Sequence, residues 1–336
     1  MAIPILKRLA QMLVVLIGVS IFIFVLTRVL PGDPIAAALG ERASEDQIER
    51  LRAQMGLDQS LVMQYFDFVG GLFEGRMGMS LVERRDVAEI IAERLPATLE
   101  LVLFSLFLAV ILGVPLGVVS AVHRDGPIDY ASRVVALVGV SIPNFWIGIM
   151  LQLFLGLTLS LLPITGRLDG PPPMQITGLY LFDSLVTGNF AAFRDALAHI
   201  MAPAIVLASG PLATITRMIR ANMIDERAKP YSELAEALGM HPLLINYKYV
   251  LRNAFSSTLT VIGFLVPILI GANFVVEKVF SWPGIARFGA DAIIASDFNG
   301  VVGVSMVVCS FVVVVNVIVE LLYRVLDPRI RLGETR

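Results

Sequence analysis

Long apolar runs alternate with short polar connections along this chain. Six runs reach membrane-spanning length: residues 9–30, 99–122, 134–161, roughly 199–219, 255–276 and 301–326. A helix rises about 1.5 Å per residue, so about 20 residues cross a hydrocarbon layer of about 30 Å. The fourth run is the weakest, interrupted by Pro203, Gly210 and Pro211. Gly113, Pro115 and Gly117 in the second run, and Gly263 and Pro267 in the fifth, predict bends or close helix approaches. The pattern predicts an all-α polytopic membrane protein with six transmembrane helices and both termini on one side. The first run is longer than a cleaved signal segment and has no small-residue cleavage site, so it reads as a span.

Two polar stretches are too patterned to be plain connections. In residues 31–96, Ser44 and Gln47 have capping-box spacing, and Ile48, Leu51 and Met55 share a helix face before a stop at Gly56. A second amphipathic helix is predicted over 60–73. A third, over 87–94, leads into the second span. This small helical insertion suits a soluble partner, or packing on the ends of the spans, and the residues favour neither. The other stretch is 221–253. Leu234 and Leu238 lie at i, i+4 on a predicted helix over 231–238, and Gly239 ends it. His241-Pro242 opens a second helix through Ile245, Tyr249 and Val250. Two short helices bent at a glycine make a rigid knob that can enter a partner's groove. The competing reading is an interfacial helix pair on the membrane surface. Asp225, Glu226, Glu233 and Glu236 argue against anionic lipid as its partner.

Composition sharpens the class. The chain has 336 residues, 57% hydrophobic and 16% charged, against about 45–50% apolar and about 25% charged in soluble domains. A net charge of −2 gives no case for nucleic acid. Cys309 is the single cysteine, which excludes an internal disulfide and a cysteine-based zinc site. His123, His199 and His241 are far apart in sequence, so their spacing predicts no metal site. Short-loop Lys and Arg set the orientation. Lys7, Arg8, Arg124, Arg133, the basic residues of 217–252, and Arg324 onward fall on one face, which is therefore cytoplasmic. The platform 221–253 is then inside.

Few polar residues lie in the spans. Asn144, Gln152 and Asn273 either face a solute path or make helix-packing hydrogen bonds. Glu320 is an intramembrane acid, with Arg324 placed at i, i+4 for a simple ion pair. The chain has no G-x-x-x-x-G-K-[ST] phosphate loop, so it does not hydrolyse ATP by that chemistry. The clustered His, Asp or Glu of a membrane-embedded enzyme are absent from the spans. A secondary transporter driven by an ion gradient is the alternative, although such proteins often carry internal repeats and midplane acids.

The motifs carry a specific resemblance. Glu233-Leu234-Ala235, three residues, then Gly239 resembles the EAA loop of ABC importer permeases, with Leu234 departing from the second alanine. Leu251-Arg252-Asn253-Ala254 departs from the usual later Leu-Pro but resembles the dipeptide, oligopeptide and nickel branch. Leu30-Pro31-Gly32-Asp33-Pro34, Met55-Gly56-Leu57-Asp58, Arg94 through Leu101 and Ser141 through Trp146 are similar to that branch's signatures. So are Glu277 through Gly284 and Leu326 through Arg331. Glu83 through Val87 departs where the family often has a glycine-containing turn. The chain is identified as resembling the first (B-type) permease of peptide-type ABC importers.

That resemblance implies six helices of the type I ABC importer permease fold in a bacterial cytoplasmic (inner) membrane, surrounded by lipid. It implies a first span in 1–30, an extracytoplasmic insertion in 31–97, a permease core in 98–326 with outer loops 162–198 and 277–300, and a cytoplasmic tail in 327–336. Both termini would be cytoplasmic. It implies a second homologous permease, an extracytoplasmic solute-binding protein, and two ATPase subunits that hold ATP and Mg, with no cofactor, catalytic residue or metal in this chain. Glu233, Ala235, Glu236, Gly239 and His241 would couple to the ATPases. Dipeptides, longer peptides, nickel chelates, opines and glycans all fit the motifs, with peptides favoured.

Overall fold

The computed structural model describes residues 2–29, 45–54 and 58–326. Their regular structure is helical, with one isolated antiparallel bridge, Met79 to Asp86. In chain order the helices are α1 (Ala2–Val29), α2 (Glu45–Gln54), α3 (Leu61–Phe73), α4 (Val87–Val122), α5 (Pro127–Ser141) and α6 (Asn144–Leu151). There follow α7 (Tyr180–Val186), α8 (Phe190–Arg227), α9 (Pro230–Ala237), α10 (Pro242–Leu244), α11 (Leu251–Val279), α12 (Ile285–Ile294) and α13 (Phe298–Leu326). Wider π-helical turns extend α6 over Gln152–Thr158 and join α10 to α11 over Ile245–Val250. The Leu30 to Pro34 signature, the Ser44 cap, Met55 to Leu57, the tail 327–336 and the side chains of Glu320 and Arg324 lie outside the described residues.

Among the described residues, four helices are long and apolar enough to cross a membrane: α4, α8, the continuous Pro242–Val279, and α13 over Phe298–Val319. The helix α1 covers the predicted first span, although its described apolar stretch, Gln11–Leu26, is shorter. The third predicted span is not one helix. It is α5 and the extended α6, meeting at 101°. Proline at 143 disfavours the helical region for the residue before it. Ile142 accordingly sits at φ −88°, ψ 130°, and Pro143 caps α6 instead of continuing α5.

The fourth run proves the most buried of the crossings. Helix α8 passes unbroken through Pro203 and Pro211. Hydroxyls of Ser209 and Thr214 bond the carbonyls of Val206 and Gly210 near these turns. Packing also holds it. A Cβ at Gly117 of α4 would lie 2.7 Å from Ile219 and 2.8 Å from the Thr216 carbonyl. The Thr216 hydroxyl donates to the Gly113 carbonyl at 3.3 Å. The second-span glycines therefore serve close approach, not a bend.

The chain divides into two compact units, Met1–Thr98 with Pro283–Val313, and Leu99–Trp282 with Val314–Arg336. In the first, Val87, Ile90 and Ile91 pack with Ile285, Phe288 and Val304. Tyr65 of α3 meets Phe24 of α1 edge-on at 5.4 Å and bonds Ser20 at 2.8 Å. Buried Asp297 accepts from the Ser80 hydroxyl and, at 3.1 Å, from the Leu81 amide. The segment Glu83 through Val87 forms a turn despite lacking glycine. Arg84 takes φ +54°, and Asp86 caps α4 by accepting from Ala88 N at 2.8 Å.

In the second unit the connection before α8 is built on two buried acids. Arg167 pairs with Glu100 at 2.5 Å and stacks over Tyr180, 3.6 Å from the ring centroid. The Leu181 amide donates to the other Glu100 oxygen at 2.6 Å. Asp183 is fully buried, and burial opposes its ionisation. Bonds from the Thr177 hydroxyl and from the amides of Thr177, Ile176 and Gly178 outweigh that and hold its carboxyl below the usual aspartate range. A depressed folded pKa contributes stability above the unfolded value, lost as pH falls through the folded one. Amide exchange at residues 176–178 is therefore expected to stay slow down to about pH 4 and rise only below it. Rapid exchange already at neutral pH would contradict the account.

Candidate functional site

The polar platform 221–253 is assembled from the end of α8, all of α9 and the start of the α10–α11 helix. Lys229-Pro230 begins α9 with proline at its first position, where a missing N–H costs nothing. Its end is a Schellman motif. The Met240 amide donates to the Ala235 carbonyl at 3.1 Å and the Gly239 amide to the Glu236 carbonyl at 2.9 Å, with Gly239 at φ +73°. His241 then caps α10, its Nδ1 accepting from the Leu243 amide at 3.3 Å. The second short helix predicted here is in fact the beginning of a 38-residue helix, Pro242–Val279. The knob is therefore α9 alone, joined through residues 238–241 to a membrane-length rod.

Arginine 227 fastens the pieces. Its guanidinium donates to Asn246 in the π-helical turn and pairs with Glu236 on α9. Glu226 accepts from the Tyr231 hydroxyl at 2.8 Å and pairs with Lys229. Burial, then the adjoining Glu226 carboxylate, push the Tyr231 phenol up against the opposing bond with Asn253, keeping it a neutral donor. Asn222 reaches the Ala254 carbonyl at 3.3 Å and Thr258 at 3.1 Å. Ala235 packs beneath α9 with Ile245, Val250, Ala254 and Met223. A larger side chain at 235 would lift the helix from this support.

The five predicted coupling residues thus share one structure. Ala235 is its buried foot, Glu236 a clamp, and Gly239 and His241 the joint. Glu233 is exposed. What sequence reasoning missed is the clamp, Arg227 with Asn246, whose members are 19 positions apart. Beside these polar groups, Leu234 and Leu238 are 60% and 72% exposed on one face of α9.

The three predicted path residues are separate. Asn144 is half-buried in the first turn of α6. The Gln152 amide donates to the carbonyls of Ile164 at 2.8 Å and Val279 at 3.0 Å, tying the wide turn to the end of α11. Asn273 is fully buried and donates to Glu277 at 2.6 Å.

Residues 113–332 match the family described as binding-protein-dependent transport system inner membrane component, and residues 1–102 match its N-terminal counterpart. The chain belongs to this family. As such it is an integral inner-membrane permease, and ATP hydrolysis resides in partner subunits. The permease is 39% identical to the probable D,D-dipeptide transport system permease protein DdpB of Escherichia coli (strain K12), over 97% of each chain. It is 37% identical to the dipeptide transport system permease protein DppB of Alkalihalophilus pseudofirmus, over 97% of this chain and 98% of that one. It is 33% identical to the oligopeptide transport system permease protein AppB of Bacillus subtilis (strain 168), over 98% and 99%. An inward-facing structure of the MetNI methionine ABC transporter superposes on 71% of this chain and 96% of its own, with a TM-score of 0.53 at 16% identity. That likeness places the permease in the type I ABC importer fold.

Proposed function

We propose that this permease forms half of the solute path of an ATP-driven peptide importer and receives ATPase motion through α9. The relatives' names support di- or oligopeptides as solutes. The partners in this reading are a second homologous permease, two ATPase subunits that bind ATP and Mg, and an extracytoplasmic solute-binding protein. Both termini and the platform are cytoplasmic, as the distribution of Lys and Arg supports. Glu233, Ala235, Glu236, Gly239 and His241 form the coupling element. Asn144, Gln152 and Asn273 are the path candidates, Gln152 and Asn273 acting through the helix contacts they brace.

The observation that carries the reading is the exposed Leu234 and Leu238 on a helix otherwise clamped from below. Leu234 on this eight-residue helix and Leu238 at its C-terminal cap, both presented to water, suit a partner's apolar groove. ATP binding drives such a permease only if the closed ATPases bind one of its conformations better than the other. A stiff knob fixed to the Pro242–Val279 rod provides that difference.

The test is a mild-detergent pull-down of the tagged permease from native membranes, with partners identified by mass spectrometry. A second six-span permease and ATPase subunits are expected to copurify. Leu238→Glu, at a position 72% exposed, is expected to lose the ATPases by tenfold or more, about 1.4 kcal/mol in binding, while keeping the second permease. Full ATPase recovery with that variant would move the docking surface elsewhere. Isolation of the chain alone, even after gentle cross-linking, would favour a self-sufficient transporter.

A further inference from the structure

The connection 162–178 returns to the start of α8 at one cluster. The amides of Asp169 and Gly170 donate to Asp195 Oδ2 at 3.1 and 3.0 Å. The other Asp195 oxygen lies 2.9 Å from His199 Nδ1, one turn along α8, and the Asp195 carbonyl is also 2.9 Å from that nitrogen. Both neighbours are acceptors, so Nδ1 carries the proton and the neutral ring holds its lone pair on Nε2. His199 is 97% buried by its 3% exposure, and its Nε2 has no hydrogen-bond partner. That nitrogen lies 3.4 Å from Asp169 Oδ1 without the alignment of a hydrogen bond. A lone pair facing a carboxylate is repulsive unless a positive charge separates them.

The separation fits a metal. Ligands about 2.0–2.1 Å from a tetrahedral zinc ion lie about 3.3 Å from one another. One ligand atom from each of Asp169, Asp195 and His199 falls within 4.8 Å of the others. The hydrogen bond from Nδ1 to the Asp195 carbonyl, with the Asp195 carboxylate 2.9 Å from the same nitrogen, is the arrangement that fixes the tautomer of a metal-binding histidine and raises its basicity. An imidazole donor selects zinc-class ions over magnesium or calcium. The Asp169 side chain, 83% exposed, gives an ion a route in and room for water as a further ligand.

We propose that His199 Nε2 and Asp169 bind a zinc-class divalent cation, with Asp195 orienting the histidine. The ion pins the 162–178 connection to the first turns of α8. This inference does not depend on the solute or on the coupling mechanism. Its test uses the full-length permease with its copurifying subunits in nanodiscs, its affinity tag removed and its metals stripped by chelation. Isothermal titration with Zn²⁺, and Co²⁺ absorption as a geometric probe, would be compared across variants. One high-affinity Zn²⁺ per permease chain is expected, unaffected by excess Ca²⁺. His199→Gln and Asp169→Asn are expected to remove it, and Asp195→Asn to weaken it about 10- to 100-fold. Asp169 is exposed, so its substitution leaves the fold intact, and His123→Gln serves as a control that keeps the site. Equal Zn²⁺ binding by wild type and Asp169→Asn marks adventitious surface binding and overturns the proposal. Absence of binding together with a doubly protonated His199 ring by nitrogen NMR also overturns it, making the cation a proton.

Discussion

Gly239→Val is expected to lower ATP-driven uptake by a factor of about 5 to 30 while leaving the permease inserted, paired with its partners and normal in abundance. The reason is conformational. Gly239 holds φ +73°, and a Cβ built there meets no atom of the described residues within 4 Å, so the Cβ itself is not obstructed. The left-handed conformation costs an ordinary L-residue about 1–2 kcal/mol, and a β-branched side chain more. Without the glycine, the two Schellman bonds that turn the chain from α9 into His241 lose their geometry. A penalty of that size lowers the population of the correct knob by a factor of about 5 to 30. Coupling responds to this population directly, because the ATPases act only on the conformation they grip. Gly239→Asn separates the causes, since asparagine tolerates the left-handed region. Uptake restored by Asn assigns the defect to backbone strain. Loss with both Asn and Val places the cause in contact with a docked subunit. Wild-type uptake with Val removes the joint from the mechanism.

Much of this arrangement was legible in the sequence because it is local. The apolar runs located the crossings, Pro242 marked a helix start, and Gly239 marked the stop before it. The Pro143 break was readable in principle, but apolar residues on both sides of it suggested one span. Two helices meeting at a proline show the same composition as one. Helix α8 misled in the opposite direction. Its prolines and glycine argued for interruption, whereas its extensive burial overrides their local cost. The least legible features are pairings between distant positions. Arg227 with Asn246, Arg167 with Glu100, and Asp169 with the i, i+4 pair Asp195 and His199 bring together residues that no motif or period connects. Charges at the edges of apolar runs were the available signal. Glu100 and Asp129 fall at or near predicted span ends, where a carboxylate needs a partner before it can be buried.

Such a partner makes Arg220→Met the substitution expected to destabilise the permease most. Asp129, at the start of α5, is fully buried, and all of its acceptor capacity is engaged. Arg220 of α8 donates to its two oxygens at 2.6 and 2.7 Å, the Ser120 hydroxyl of α4 at 2.6 Å, and the Asp125 amide at 3.0 Å. One carboxylate thereby joins three helices at the end of the bundle that carries the platform. Removing the arginine leaves a buried charge without its counter-ion, which costs about 3–5 kcal/mol, a large share of the about 5–15 kcal/mol that holds a typical protein folded. Steady-state abundance and thermal midpoint in detergent should both fall sharply. Asp129→Asn combined with Arg220→Met provides the control. With its oxygen toward the Asp125 amide and its NH2 donating to the Ser120 hydroxyl, the asparagine keeps both contacts without a charge, so the double variant should recover more than half of the loss. A double variant as unstable as Arg220→Met alone would mean that the arginine acts by filling space between α5 and α8. The buried ion pair would then have no special part in holding the platform's base.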